Sequence, residues 1–346
     1  MDSMPEAPRR RATLDSVAEV VGVSKATVSK VLNDRPGVSE ATRLRVHDAV
    51  RLLDYAPTTR APESGGRRRI LVLFDTLANL YSLRMLDALL AGGHAADVEI
   101  VADVIAPLDP GPASRLEPHR IRALWQRGYA GLLVVTTQLS RDALRVCAEL
   151  DLPVVSIDPP NALDPDVASV GSNNWSGAMQ ATEHLLGLGH RRIGFVGGLA
   201  THAGLRERRA GYRSALEAAG LDEDSALVSE DGMVSAGPEA VRMMDLVDPP
   251  TAFFVSSDPG ALAVMRELAR AGLRVPDDVS VVGYDDTYAA LPAPVLLTTV
   301  HTPLDEIGRT ALSTVLAMIE GSAPLSHHLQ LATSLVVRES TAAPRG

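Results

Sequence analysis

Residues 13–33 read TLDSVAEVVGVSKATVSKVLN. Leu14, Val17, Ala18 and Val21 recur at the i, i+3, i+4, i+7 spacing of an amphipathic helix. Thr13 can cap its start, and Gly22 follows as the residue best able to take a left-handed turn. Ser24 then suits the N-cap of a second helix, whose apolar face is Val28, Val31 and Leu32. Its other side carries Lys25, Ala26, Thr27, Ser29 and Lys30, a small, polar, cationic face of the kind a major groove admits. A third helix is expected from about Ser39 to Asp54, closing the core with Val46, Ala49, Val50 and Leu53. Two short helices joined by a glycine turn occur in all-α domains of many functions, so the spacing alone does not assign a role.

Charge points the same way as the pattern. The 346-residue chain carries a net charge of −10, which as a whole argues against a nucleic-acid partner. Residues 1–69, however, hold 13 Lys+Arg against 9 Asp+Glu, and the remainder 20 against 34. The basic charge is therefore concentrated in the segment that contains the two amphipathic helices. The only two lysines of the chain, Lys25 and Lys30, fall there five residues apart.

The wider string TLDSVAEVVGVSKATVSKVLNDRPGVSEATRLRVHDAVRLLDY resembles the headpiece of the lactose-repressor (LacI/GalR) family. That family shows the pattern T-h-x-D-V-A-x-x-A-G-V-S-x-x-T-V-S-[RK]-V-L-N, with h apolar, then V-S-x-x-T-R and a terminal Tyr. The resemblance implies a sequence-specific DNA-binding regulator. By position it implies base reading by Lys25, Ala26 and Lys30, phosphate contacts from Ser24, Thr27 and Ser29, and Thr13 and Asn33 within the same DNA-binding set. Position 30 is more often Arg in the family, and Lys lacks the planar fork that engages guanine twice. The linker departs from the pattern Y-x-P-N-x-x-A-R-x-L: Pro62 stands where Arg is expected and Ser64 where the minor-groove Leu is expected. The resemblance thus carries the headpiece but not the central kink in DNA.

From Arg69 onward, apolar runs of strand length alternate with helical segments, the mark of parallel sheets built from βαβ units. The runs are 70–74, 98–104, 131–136 and 153–158, then 192–198, 251–256 and 279–283. They form two sets, with helices expected over 174–188, 205–219 and 259–271. Ligands in such sheets bind beyond the carboxyl ends of the strands, which directs attention to Asp75, Asp158, Ser257, Asp258, Asp285 and Asp286. The stretches 181–198, 207–216, 274–286 and 296–308 also resemble the family's periplasmic-binding-protein-like core. That resemblance implies effector contacts at Tyr81, Ser82, Asp158, Val170, Arg208, Ser257, Asp285 and Thr302. Arg208 offers a fork of donors and Asp285 paired acceptors, which suits a hydroxyl-rich or carboxylate-bearing ligand. A turn after a strand and a solvated helix face are the alternative readings of these two residues.

The organisation expected is an all-α helix-turn-helix headpiece over 1–56, a linker over 57–68 and an α/β core over 69–346. The core comprises two doubly wound parallel-sheet lobes, one of about 69–167 and 300–329, the other of about 168–299 and 330–346. By resemblance the effector is a carbohydrate or derivative, yet Met233 falls near the position of a stacking aromatic and Ser257 replaces an expected Asn. Trp175 and Tyr284 are the other candidates for stacking. The expected partners are operator DNA, a small sugar-like effector and a second copy of the chain, with no cofactor, metal or membrane.

The segment before the first helix has basic residues without an apolar h-region, so a cytoplasmic protein is expected. Cys147, the single cysteine, reads as a buried small hydrophobe. Other functions on this plan are a ligand-responsive activator, a solute receptor or an enzyme. Enzyme chemistry finds no support in the motifs: there is no P-loop, HExxH or G-x-S-x-G, and GFVGGLATHAG is too loose for a dinucleotide fingerprint.

Overall fold

The computed structural model describes residues 14–32, 37–53, 67–105, 115–197, 202–229, 235–287, 295–324 and 326–345. The chain divides into two units, Met1–Ser64 and Gly65–Gly346.

The first unit contains α1 (Leu14–Val21), α2 (Lys25–Leu32) and α3 (Glu40–Leu52). Val17, Ala18 and Val21 pack with Val28, Val31, Val46 and Ala49, all from the expected apolar faces. Gly22 makes the turn at φ +69°, where a Cβ is disfavoured. Ser24 Oγ accepts from Thr27 N at 3.1 Å and caps α2. Arg45 donates to the Val21 carbonyl, satisfying an acceptor at the end of α1 that the helix leaves open.

The second unit runs β1 (Arg69–Phe74), α4 (Leu80–Ala95), β2 (Glu99–Val104), β3 (Arg115–Leu116), α5 (Pro118–Gln126), β4 (Gly131–Val135), β5 (Gln138–Leu139), α6 (Arg141–Glu149), β6 (Val154–Ile157) and β7 (Ala168–Ser172). It continues through α7 (Asn174–Gly187), β8 (Ile193–Val196), α8 (Ala203–Ala218), β9 (Val228–Ser229), α9 (Ala236–Met244), β10 (Ala252–Val255), α10 (Asp258–Arg270), β11 (Ser280–Asp285) and β12 (Thr298–His301). The last elements are α11 (Leu304–Ile319), β13 (His328–Leu331) and β14 (Ser334–Val336).

Two six-stranded sheets result, ordered β13-β7-β6-β4-β1-β2 and β14-β12-β11-β10-β8-β9, with a two-stranded β3-β5 pair beside them. All pairings in the first sheet are parallel, whereas β14 joins β12 antiparallel at the edge of the second. Each sheet is covered on both faces, which is why its strands read as continuous apolar runs. Ile70, Val72 and Phe74 enter one core, and Leu71 and Leu73 the opposite one. Phe253 and Val255 are likewise separated from Ala252 and Phe254 across the second sheet. Cys147 is buried in the core of the first lobe, and burial pushes its thiol up to about 12.

The chain passes between lobes at three points, each a few residues from the expected lobe bounds. β7 belongs to the first sheet, paired to β6, so the first crossing falls at Asn173 rather than near 167. β12 belongs to the second sheet and α11 packs against the first, which puts the second crossing at 302–303. β13 pairs β7 before β14 pairs β12, so the third crossing lies at 332–333 rather than near 329. The strand ASVGS is short and built largely of small residues, and its place is decided by pairing instead of hydropathy. The crossings are tied together: Asn173 N donates to Leu331 O at 2.9 Å, and Thr333 Oγ1 to Asn173 O at 3.2 Å.

Candidate functional site

The carboxyl ends of both sheets meet at one cavity of about 860 Å³. From the first lobe, Asp75 follows β1, Thr136 follows β4 and Asp158 follows β6, and all three line it. Thr136 and Asp158 hold φ of +47° and +43°, and across the cleft Asp285 holds +97°. Such angles are costly for residues with a Cβ and gather where side-chain aim matters more than backbone ease.

Asp158 is fixed from two sides. Tyr81, in the first turn of α4, donates its hydroxyl to Oδ2, and Ser172 N donates to Oδ1 at 3.2 Å. Gly171 makes this possible, because a Cβ there would stand 2.5 Å from Asp158 Oδ1. Burial raises the Asp158 carboxyl above its ordinary range, and burial beside Asp158 raises the Tyr81 phenol. Asp75 is also raised by burial, while accepting from Thr136 Oγ1 and Thr76 N, each at 2.7 Å.

On the second lobe Arg208 of α8 is the hub. Nε donates to Asn174 Oδ1 at 2.8 Å, Nη1 to Ser256 O at 2.5 Å and Nη2 to Asp285 Oδ1 at 3.0 Å. Its Cζ lies 3.6 Å from the centre of the Tyr284 ring. Among the described residues these bonds engage three of its five N–H donors. Arg208 reaches this position because α7 and α8 pack closely: a Cβ on Gly211 would stand 2.2 Å from Trp175 O. Burial raises the Asp285 carboxyl, with the Arg208 charge opposing it.

Of the effector residues implied by resemblance, Tyr81, Asp158, Arg208, Ser257 and Asp285 line this cavity. Ser82, Val170 and Thr302 do not. Val170 packs into the core of the first lobe; Ser82 and Thr302 are buried with hydroxyls that have no partner among the described residues. Ser257 caps α10, its Oγ accepting from Gly260 N. Asp258 lies beneath the wall, fully buried, accepting from Thr287 N at 2.7 Å and Thr299 Oγ1 at 2.5 Å. Burial and the nearby Asp285 raise its carboxyl to about 7.

Tyr284 is buried under Arg208, and Trp175 donates to Ser214 Oγ without reaching the cavity, so neither offers a stacking face there. Met233 and the departures at Pro62 and Ser64 lie outside the described residues. Asn79, Asn174, His202 and Ser256 also line the cavity and were not singled out in the sequence, since polar residues at helix starts read as caps. Among the described residues His202 Nδ1 is buried without a partner, and burial together with Arg208 and Arg206 lowers its imidazole to about 4.

In the first unit, Ser24, Lys25 and Lys30 are exposed along α2, and Thr27 is half-buried with its hydroxyl 2.9 Å from Ser24 Oγ. The helix therefore presents the polar cationic side expected of it. Thr13 and Asn33 lie outside the described residues, as do the side chains of Ala26 and Ser29. Among the described residues, no helix is long and apolar enough to cross a membrane and no cluster suits a metal ion.

A helix-turn-helix unit joined to a two-lobed ligand-binding core defines a DNA-binding transcription regulator. The model for bacterial regulatory proteins of the lacI family matches residues 13–58, and that for a periplasmic binding protein-like domain matches 182–341. The chain is 34% identical over 340 residues to the HTH-type transcriptional regulator CelR of Thermobifida fusca, covering 96% of this chain and 99% of that one. It is 31% identical over 336 residues to the ribose operon repressor of Escherichia coli K12, covering 95% and 99%. Among solved structures, a CelR–cellobiose complex matches with TM-score 0.70 at 30% identity, over 95% of this chain and all of that one. A lac repressor dimer bound to operator and the anti-inducer ONPF matches with TM-score 0.70 at 27% identity, over 96% and 100%. This chain belongs to the lacI family of bacterial regulatory proteins.

Proposed function

We propose that the protein is a cytoplasmic repressor that binds a near-palindromic operator as a homodimer and is released by a neutral, hydroxyl-rich effector of the carbohydrate class. The observation that carries this reading is the convergence of Tyr81–Asp158 from one lobe and Arg208–Asp285 from the other on one cavity. Paired carboxylate acceptors and a partly engaged guanidinium match vicinal hydroxyls, each of which both donates and accepts. The roles assigned to Ser24, Lys25, Ala26, Thr27, Ser29 and Lys30, with Thr13 and Asn33, belong to the same proposal. The crystallised relative named for cellobiose and the repressor named for the ribose operon support the effector class. The relative solved as an operator-bound dimer supports the assembly, since two-fold protein symmetry is mirrored in paired half-sites.

A mobility-shift titration on DNA upstream of the protein's own gene, with and without a panel of neutral saccharides, tests both halves. Operator retardation that a saccharide relieves is expected. Binding that is indifferent to every saccharide, or sedimentation as a monomer at concentrations that saturate the operator, would overturn the respective half.

A further inference from the structure

The cavity extends beyond the plane where strands end. Register places Asp158 level with Gly171, because Ile157 pairs Val170. Ser169 lies two residues further down the sheet, about 7 Å at strand rise, and still lines the cavity. On the edge strand β13, His328 stands opposite Ser169 and Gln330 opposite Gly171, and both line it as well. The cavity therefore has an arm that borders β7 and β13, beyond the strand-end residue Asp158.

The chemistry of this arm differs from that of the interlobe mouth. Asn161, Ala162 and Leu163 form one wall, with Asn161 Oδ1 buried and without a partner among the described residues. Ser169 Oγ and His328 Nδ1 are 2.9 Å apart. Leu163 and Leu329 add apolar surface. Beyond Asp158, which borders the arm at Gly171, the groups named here include no carboxylate, lysine or arginine. Amide, hydroxyl and imidazole groups beside two leucines suit a ring with polar edges and an apolar face.

We propose that this arm is a second subsite, which holds the second unit of a neutral di- or oligosaccharide whose first unit lies between Asp158, Arg208 and Asp285. The proposal rests on the carbohydrate reading of the cavity and adds the size and direction of the ligand.

Calorimetry on the full chain tests it with glucose, galactose, mannose and xylose, and with cellobiose, maltose, lactose, mannobiose and xylobiose. The expected result is one disaccharide bound at least ten-fold more tightly than its component monosaccharides. Gln330→Ala and His328→Ala should each collapse that ratio at least three-fold; Gln330 is exposed, so its truncation leaves the core intact. A monosaccharide bound as tightly as any disaccharide, with binding lost in Arg208→Ala, keeps the effector reading and overturns the second subsite. Equal loss of both ligand sizes in the Gln330 and His328 variants overturns it too. Absence of binding by every saccharide overturns the carbohydrate reading and this proposal with it.

Discussion

Arg208 and Asp285 form an ion pair of 3.0 Å with only 11% and 9% of their side chains exposed. A pair so buried is held by geometry rather than by net attraction, because removing both charges from water costs several kcal/mol per ion. Replacing Arg208 with Ala strands a buried carboxylate and should cost ~3–5 kcal/mol of stability. The double variant Arg208→Ala/Asp285→Asn should recover much of that loss yet still fail to bind effector. Thermal melts paired with ligand titration separate the two effects. Effector-free operator binding should survive in the double variant, producing repression that effector does not relieve.

Tyr81→Phe removes the hydroxyl that anchors Asp158 while preserving the ring. A buried acceptor that loses its donor costs about 1–3 kcal/mol. Effector affinity should fall within that range with little change in operator affinity. Calorimetry and mobility shift on the same preparation check this, and unchanged effector affinity would remove Asp158 from the site.

Asp258 gives the core a defined pH dependence. Its carboxyl titrates near 4 in an unfolded chain and at about 7 here, so between those values the folded protein keeps a proton that the unfolded chain has released. Stability from this group is present below about 4 and is lost as pH rises to about 7. His202, lowered to about 4, acts in the opposite sense, adding stability as pH rises from about 4 to 6.5. Between pH 4.5 and 7, Asp258→Asn should therefore lose less stability than the wild type, with His202 acting alike in both. Parallel pH slopes for the two proteins would exclude Asp258 as the source.

Gly211 sets the approach of α7 to α8. Its Cβ would stand 2.2 Å from Trp175 O and 2.9 Å from Ala178 Cβ, so Gly211→Ala must separate the helices. Overpacking of this kind costs about 1–3 kcal/mol. Because Arg208 rides on α8 and bonds Asn174 on α7, effector affinity should weaken along with the melting temperature.

Lys30 is exposed at the end of α2. If it reads a base edge, Lys30→Ala should cost ~1–3 kcal/mol on operator DNA and less on random DNA. A phosphate contact would reduce both equally and lower the salt slope by about one. Binding measured on the two DNAs across a salt series distinguishes them.

What the sequence determined by itself is the set of elements and their order. The 3.6-residue spacing of Val17, Val21, Val28 and Val31 fixed which helix faces close the headpiece, because a three-helix unit has few other ways to bury them. The apolar runs at 70–74 and 251–256 marked interior strands, because a sheet covered on both faces needs hydrophobes at every position. Five of the eight positions implied by the resemblance line the cavity, at strand ends or in the early turns of helices. Tertiary structure decided the rest. Hydropathy does not report pairing, so the small residues of β7 and the polar β13 found their sheet only through register. Val170 and Thr302 sit beside the cavity in sequence, yet strand alternation turns Val170 into the core and the crossing buries Thr302. The arm along Ser169, His328 and Gln330 joins segments some 160 residues apart. No local pattern foretells it, because it exists only where an edge strand from the end of the chain lies against one from its middle.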